Sequence, residues 1–460
     1  MTSTHRFAPA LLALAVATTA AAQAPSQGGS LPPVRPLGKV KAASTELLGA
    51  VSQVRALPDG SVLVNDNLGR KVVLFDASLA TGKVVADTTS ATANAYSSRA
   101  GGLIQYKGDS TLFVDPTALS MLVIDGKGEV ARVMSVPRAN DAVALIGGPN
   151  GTPGFDAQGR LVYRGGFNLS FGGGRGAPMA MPGQPGFQMP TIPDTSAVIR
   201  IDLETRKVDT VAFVKISSPK LSMTTRPDGG MSISSITNPM PVLDDWVVTA
   251  DGRVAILRGQ DYRVEWMENG KVASTNKVPF AWRRLDDSAK TAFVDSTRKA
   301  MEALRQQQMA RMQAGGGPMM LGPGDPMAAG MAGGAQIRIE MRGGGGDGAP
   351  PPRPQQNAPG GTNTRVELPP IQFIPASELP DYAPAFSAGA ARADAEGNIW
   401  VRTSNSMGGG SVYDVINAKG ELTDRVLLPP GRVIAGFGKG VVYMGVREGS
   451  GVRLEAAPVR

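Results

Sequence analysis

Short apolar runs, each preceded by a polar or glycine-containing turn, recur along the chain and predict strands. Asp59-Gly60 precedes Val62-Leu63-Val64, Asp109-Ser110 precedes Leu112-Phe113-Val114, and Gln158-Gly159 precedes Leu161-Val162-Tyr163. Asp251-Gly252, Glu396-Gly397 and Lys439-Gly440 precede Val254-Ala255-Ile256, Ile399-Trp400-Val401 and Val441-Val442-Tyr443-Met444 in the same way. A turn pair between β-formers marks a hairpin, because glycine accepts the positive φ that such turns require. A further apolar strand follows each run: Val72–Phe75, Met121–Ile124, Val198–Ile201, Tyr262–Trp266, Val412–Ile416 and Val452–Leu454. Several units then continue into a weaker strand, at Val84–Ala86, Val130–Met134, Val208–Val214, Lys271–Val278 and Glu421–Leu428.

Repetition at this length describes a β-propeller better than a sandwich, since each unit needs a neighbour on both faces to bury its apolar strands. The expected fold is all-β: a six-bladed β-propeller of four-stranded antiparallel blades, with seven blades as the alternative, over residues 37–460. A strand from Lys39 to Ala43 is expected to complete the last blade and close the ring. Strand direction alternates within a blade, so the connection after the second strand and the connection between blades open on one side. The residues ending each second strand then stand at the channel mouth on that side: Asn65 and Asp66, Asp115, Arg164, Arg258, Arg402 and Gly445. This rim is acidic in the first two units and basic in the next three, an arrangement suited to orienting a charged ligand or partner loop. The plainer expectation is that the carboxylates bond turns and the arginines are solvated.

The stretches Asp244-Asp245-Trp246-Val247-Val248-Thr249-Ala250-Asp251-Gly252, Tyr262-Arg263-Val264-Glu265-Trp266 and Glu396-Gly397-Asn398-Ile399-Trp400-Val401 resemble the TolB-like and NHL-type six-bladed propellers. Residues 45–165, 244–280 and 390–450 look most like uncharacterised secreted bacterial members of that superfamily. The resemblance implies a fold and not an activity, because the superfamily holds binding modules, scaffolds, lactonases and lyases.

Two segments interrupt the pattern. Residues 170–193 and 313–363 are rich in Gly, Pro and Met, a composition expected to be disordered. A helix is expected before the second, from about Asp287 to Gln313, capped by Asp287 or Ser288. Its packed face would carry Ala289, Phe293, Ala300 and Leu304, with Lys290, Arg298, Arg305 and Arg311 outside. The inserts at 170–193 and 285–363 should project from one side of the disc.

Composition narrows the chemistry. The chain of 460 residues has no cysteine and one histidine, His5. Residues 1–22 read as a signal peptide: Arg6, then an apolar run from Phe7, then Ala20 and Ala22 before Gln23, with an uncleaved anchor as the alternative. Residues 23–36 read as a linker. Disulfide-linked partners and histidine- or cysteine-based catalysis are thereby excluded from the expected mature chain. The formal charge of +8 is spread along the chain and aromatics are only 5%, which fits no nucleic-acid partner.

The expected function is non-catalytic: a periplasmic or extracellular propeller that binds a protein or ligand through the loop-bearing face, without a cofactor, as a scaffold subunit whose protein partner lies in the cell envelope or in a membrane-associated complex there. The alternative is a calcium-dependent, lactonase-like hydrolase, drawing oxygen ligands from Asn65, Asp66, Asp115, Asp244 and Asp245. A third reading is Cu(I) capture by thioethers such as Met179, Met181, Met309, Met312, Met319, Met320, Met327 and Met331.

Overall fold

Each predicted apolar pair becomes the second and third strand of an antiparallel sheet in the computed structural model, which describes residues 31–89, 94–97, 101–166, 192–225, 231–268, 270–313 and 372–460. The signal segment 1–22, most of the 170–193 loop, residues 314–363 and every methionine proposed for copper except Met309 and Met312 lie outside the described residues.

The first sheet comprises Val51–Ala56, Val62–Asp66, Lys71–Phe75 and Gly82–Asp87. The second comprises Gly102–Gln105, Thr111–Asp115, Ser120–Ile124 and Val130–Ser135. Gly154–Phe155, Leu161–Arg164, Thr195–Ile201 and Val208–Lys215 make the third, and Asp245–Val248, Val254–Arg258, Arg263–Glu268 and Lys271–Lys277 the fourth. The fifth holds Phe386–Ala393, Ile399–Met407, Gly410–Ile416 and Leu422–Leu427. Arg432–Gly438, Val441–Glu448, Gly451–Pro458 and the early strand Ala42–Ala43 make the sixth.

Burial explains why the middle strands read as unbroken apolar runs. Val62, Leu63 and Val64 are all buried, so both faces of the sheet are covered, while the outermost strand Lys271–Lys277 is mostly exposed and polar. Apolar clusters join the sheets in sequence. One spans the second, third and fourth sheets, another the fourth and fifth, and others the fifth with the sixth, the sixth with the first, and the first with the second. The clusters thus form a closed circuit of several four-stranded antiparallel sheets, consistent with a propeller. Trp400 stacks at 5.2 Å on Phe437 across one seam, and Tyr262 lies 5.5 Å from Phe386 across another. Tyr262 also donates its hydroxyl to Asp414 Oδ2 at 3.1 Å, tying the fourth sheet to the fifth.

The chain's early segment ties two sheets. Ala42 and Ala43 pair with Ala456 and Glu455, within the stretch where a closing strand was expected. Val34–Pro36, inside the segment read as linker, adds a parallel strand to the fifth sheet, and Arg35 Nε donates to Asp424 at 2.7 Å. A linker therefore cannot extend to residue 36, because this backbone is paired.

A small appendage was not visible in the strand pattern. The hairpin Lys220–Thr225 and Met231–Thr237 pairs in parallel with Gln372–Phe373. Helix α1 (Asp287–Gln313) packs beside it through Met240, Leu285, Val294, Ile374, Leu379 and Ala383. The cap is Asp286, whose carboxylate accepts from Ala289 N at 2.7 Å; Asp287 and Ser288, the expected caps, already lie inside the helix. Lys290, expected outside, is buried with its ammonium 2.6 Å from Asp381 Oδ1. Val294 takes the innermost place, with Ala289 and Phe293 partly buried beside it.

Candidate functional site

Alternation of strand direction puts the ends of the second strands on the side that also carries the inter-sheet segments. There Asp66 is buried and accepts from Gly49 N, Ala50 N and Gly69 N, each at 2.8 Å. Asp115 likewise accepts from Ser97 N at 2.6 Å, Ser97 Oγ at 2.8 Å and Thr117 N at 3.1 Å. Both carboxylates hold loops. Asp66→Asn is expected to lower stability by about 2 kcal/mol, because hydrogen bonds to a charged acceptor are the stronger kind. Urea unfolding checks this, and an unchanged midpoint would show that the three amides find other acceptors. Asn65 donates to Gly101 O at 2.7 Å, and its buried Oδ1 has no hydrogen-bond partner among the described residues.

Arg164 reaches inward to a loop that crosses the ring. Its guanidinium donates to Pro149 O at 3.5 Å and to Asn150 Oδ1. Burial lowers the Arg164 pKa, and the charge of Asp245 opposes that shift. The loop follows short turns at Ala139–Asp141, Ala144–Ile146 and Gly148–Asn150. It meets the first sheet where a Cβ at Gly147 would stand 2.8 Å from Gln53 Nε2, and the second where Ile146 abuts Gly102. Trp246 of the fourth sheet donates to Asn150 O at 2.9 Å, and Gly148 O packs on Gly389 of the fifth. A short segment that touches five sheets of the circuit must lie across its axis. Residues 146–151 therefore cover the channel on this side.

Arg402 stands opposite Tyr413 in the fifth sheet, two residues from Trp400 and so on the same face as that buried ring. Arg392, which pairs with Trp400, shares this face and donates to Gly389 O at 3.0 Å and Ala391 O at 2.9 Å. The earlier reading of the rim did not include Arg392; its place on a leading strand with weak apolar signal hid it. Asp245 is buried and accepts from Ala391 N at 2.8 Å and from Trp246 N at 2.9 Å, and burial raises its pKa.

Arg258 sits apart from the axis, at the seam of the third and fourth sheets. It donates to Asp244 Oδ2 at 2.8 Å, Glu265 Oε2 at 2.7 Å and Phe213 O at 2.9 Å. Burial works against its charge, but the two carboxylates outweigh that and raise its pKa. Arg263 joins the network through Asp261 at 2.7 Å and Glu265 at 3.0 Å. A cavity of about 430 Å³ opens here, lined by Lys215, Asp244, Arg258, Gln260, Asp261 and Arg263. Of these, Asp244, Arg258 and Arg263 lie in stretches the sequence singled out, while Lys215 comes from an outer strand and Gln260 and Asp261 from a turn with no repeat signal.

The expected rim is thus distributed: Asn65, Asp66, Asp115, Arg164 and Arg258 each bond within their own sheet or to a neighbouring segment, not to one another. The oxygens suggested for calcium are separated in the same way. Asp66, Asp115, Asp244 and Asp245 bond to different segments, and no group of three His, Cys, Asp or Glu side chains that could hold a metal ion is found among the described residues.

No family model matches the chain, and no curated protein matches it in sequence. Solved propellers match it in structure. A gluconolactonase from Xanthomonas campestris is 10% identical, with 94% of this chain and 99% of that one covered and a TM-score of 0.33. Regucalcin, a calcium-binding protein from Agrobacterium tumefaciens, is 10% identical, with coverage of 93% and 98% and a TM-score of 0.36. Virginiamycin B lyase from Staphylococcus aureus is 8% identical, with coverage of 91% and 98% and a TM-score of 0.35. At such identity and TM-score the likeness is one of fold, and what those proteins bind or cleave stays theirs.

Proposed function

We propose that the chain is an exported six-bladed propeller, of the TolB-like and NHL kind, that binds a protein partner in the cell envelope through its elaborated face and performs no catalysis. In this reading the three-stranded sheet is an appendage and not a seventh blade, because the apolar circuit closes without it. The observation that carries the proposal is the joining of separate inter-sheet segments on one side: Ile236 and Thr237 pair with Gln372 and Phe373. Chain leaving two different sheets thus builds one structure, while the axis on that side is covered by residues 146–151. Surface presented beside the axis, and not a cleft within it, is what this arrangement offers.

Envelope extracts probed with the intact protein and with a variant lacking 285–363 test the proposal. Partners captured only by the intact protein, from variants with matching unfolding curves, are expected. Retention of every partner by the variant would sink it. For export, sequencing of the mature protein is expected to begin at Gln23; a retained Met1 would point to an anchor.

The second reading is the calcium-dependent hydrolase, favoured by one atom: Asn65 Oδ1 is a buried oxygen without a partner among the described residues, the type a hard cation accepts. The described carboxylates nearby are engaged by backbone amides, which does not fit a ready-made cation site. Calorimetry with calcium, alongside hydrolysis of a sugar lactone, separates the readings. No heat and no turnover are expected; saturable calcium binding with turnover would replace the first reading by the second.

A further inference from the structure

We propose that the cavity at the seam of the third and fourth sheets is a saccharide-binding site. The proposal deepens the binding reading of this face and rests on it, but it concerns a different surface from the appendage.

The charge pattern excludes most other occupants. Arg258 is clasped between Asp244 and Glu265, and Arg263 between Asp261 and Glu265. With Lys215, the site has three cationic groups against three carboxylates. A guest ion of either sign would therefore meet as much repulsion as attraction. A wholly apolar guest is unsuited as well: Val242 is the one apolar side chain in the lining, and the guest would strip water from the charged groups without replacing their hydrogen bonds.

A polyhydroxylated guest fits. Hydroxyl groups both donate and accept, and here donors and acceptors stand side by side in fixed planes. The guanidinium and carboxylate groups are already held by one another, so little ordering remains to oppose binding. The exposed Gln260 adds an amide that can do both. A cavity of about 430 Å³ lies within the usual range for small-ligand sites and has room for a disaccharide.

The rim supplies the second element. Phe213 is 61% exposed and lies two residues before Lys215 on the strand Val208–Lys215. The intervening Val214 is buried, and the register from Phe213 to Lys215 is unbroken, so Phe213 and Lys215 share a face. Lys215 lines the cavity, and the Phe213 carbonyl itself accepts from Arg258. An exposed aromatic residue thus shares a strand face with Lys215 of the cavity lining. That pairing matches a pyranose, which offers an apolar C–H face to the ring and hydroxyls to the charged groups.

The test is calorimetric titration of the full chain with cellobiose, maltose and N,N′-diacetylchitobiose at millimolar concentrations. Separate arms contain potassium phosphate and calcium chloride. At least one disaccharide is expected to bind with an affinity that hardly changes with salt. Phe213→Ala and Gln260→Ala, both at exposed positions, are each expected to weaken it at least about tenfold, with unchanged melting temperatures. Failure of all three disaccharides to bind, affinity unmoved by both substitutions, or salt-sensitive binding of phosphate in their place would overturn the proposal. The variant lacking 285–363 retains every residue of this cavity. Lost partner capture with saccharide binding intact would therefore count for both proposals, and capture without saccharide binding would remove this one alone.

Discussion

Gly151→Ala is expected to lower the unfolding free energy by about 3 to 6 kcal/mol, among the larger effects a single methyl group can have. Gly151 has φ +89°, in the left-handed region where a side chain is strained. A Cβ there would also overlap Trp246 Nε1, which donates to Asn150 O at 2.9 Å. The strain contributes roughly 1 to 2 kcal/mol, overpacking roughly 1 to 3, and the lost indole hydrogen bond roughly 1. Relief is not available by moving the indole, because Trp246 is 1% exposed and part of the largest apolar cluster. Urea unfolding measures the loss. A drop of less than about 1 kcal/mol would mean that the crossing loop yields without disturbing the sheets, a value typical of surface changes.

Asp414 should make stability fall as pH rises through the mildly acidic range. The side chain is fully buried, and burial raises its pKa from the ordinary 3.8 to about 6, although the Arg425 charge and the Tyr262 hydroxyl oppose the shift. Arg425 Nε lies 3.4 Å from Asp414 Oδ1, within ion-pair reach but too poorly aligned for a good hydrogen bond. The folded chain therefore holds this proton more tightly than the unfolded chain. By linkage the stabilisation is complete below pH 3.8 and is lost as pH rises through about 6. The loss amounts to roughly 3 kcal/mol for this one group. Asp414→Asn removes the titration, so the difference in unfolding free energy between parent and variant should shift by that amount between pH 4 and pH 7. Parallel curves would show that Asp414 stays ionised in the folded state. The missing partner of Arg425 in the variant moves its curve vertically and leaves its slope alone.

Particular residues show where sequence reading succeeded and where it stopped. Val62-Leu63-Val64 and its counterparts gave true strands because the middle strands of each sheet are covered on both faces, which demands unbroken apolar runs. Leading strands such as Gly102–Gln105 and Gly154–Phe155 escaped, because they are short and glycine-bearing where a neighbour packs closely, Ile146 of the crossing loop on Gly102 and Val248 of the fourth sheet on Gly154. Lys290 looked like a surface residue by helical spacing, but the appendage wraps it and Asp381 meets its charge. Asp66, Asp115, Arg164 and Arg258 end their strands, but Ile399–Met407 and Val441–Glu448 run on past Arg402 and Gly445, and nothing in the spacing tells that Asp66 and Asp115 would be taken by amides from the adjoining loops.

Local patterning alone determined the strands, the turns and the side from which long segments leave, because these follow from side-chain alternation and from the reversal of direction at each turn. Tertiary structure decided the rest: that residues 146–151 cross the axis, that Ile236 meets Gln372, and that Lys215, Arg258 and Asp261 line one cavity. Such meetings depend on how sheets turn about a common axis, and no single stretch of chain encodes that rotation.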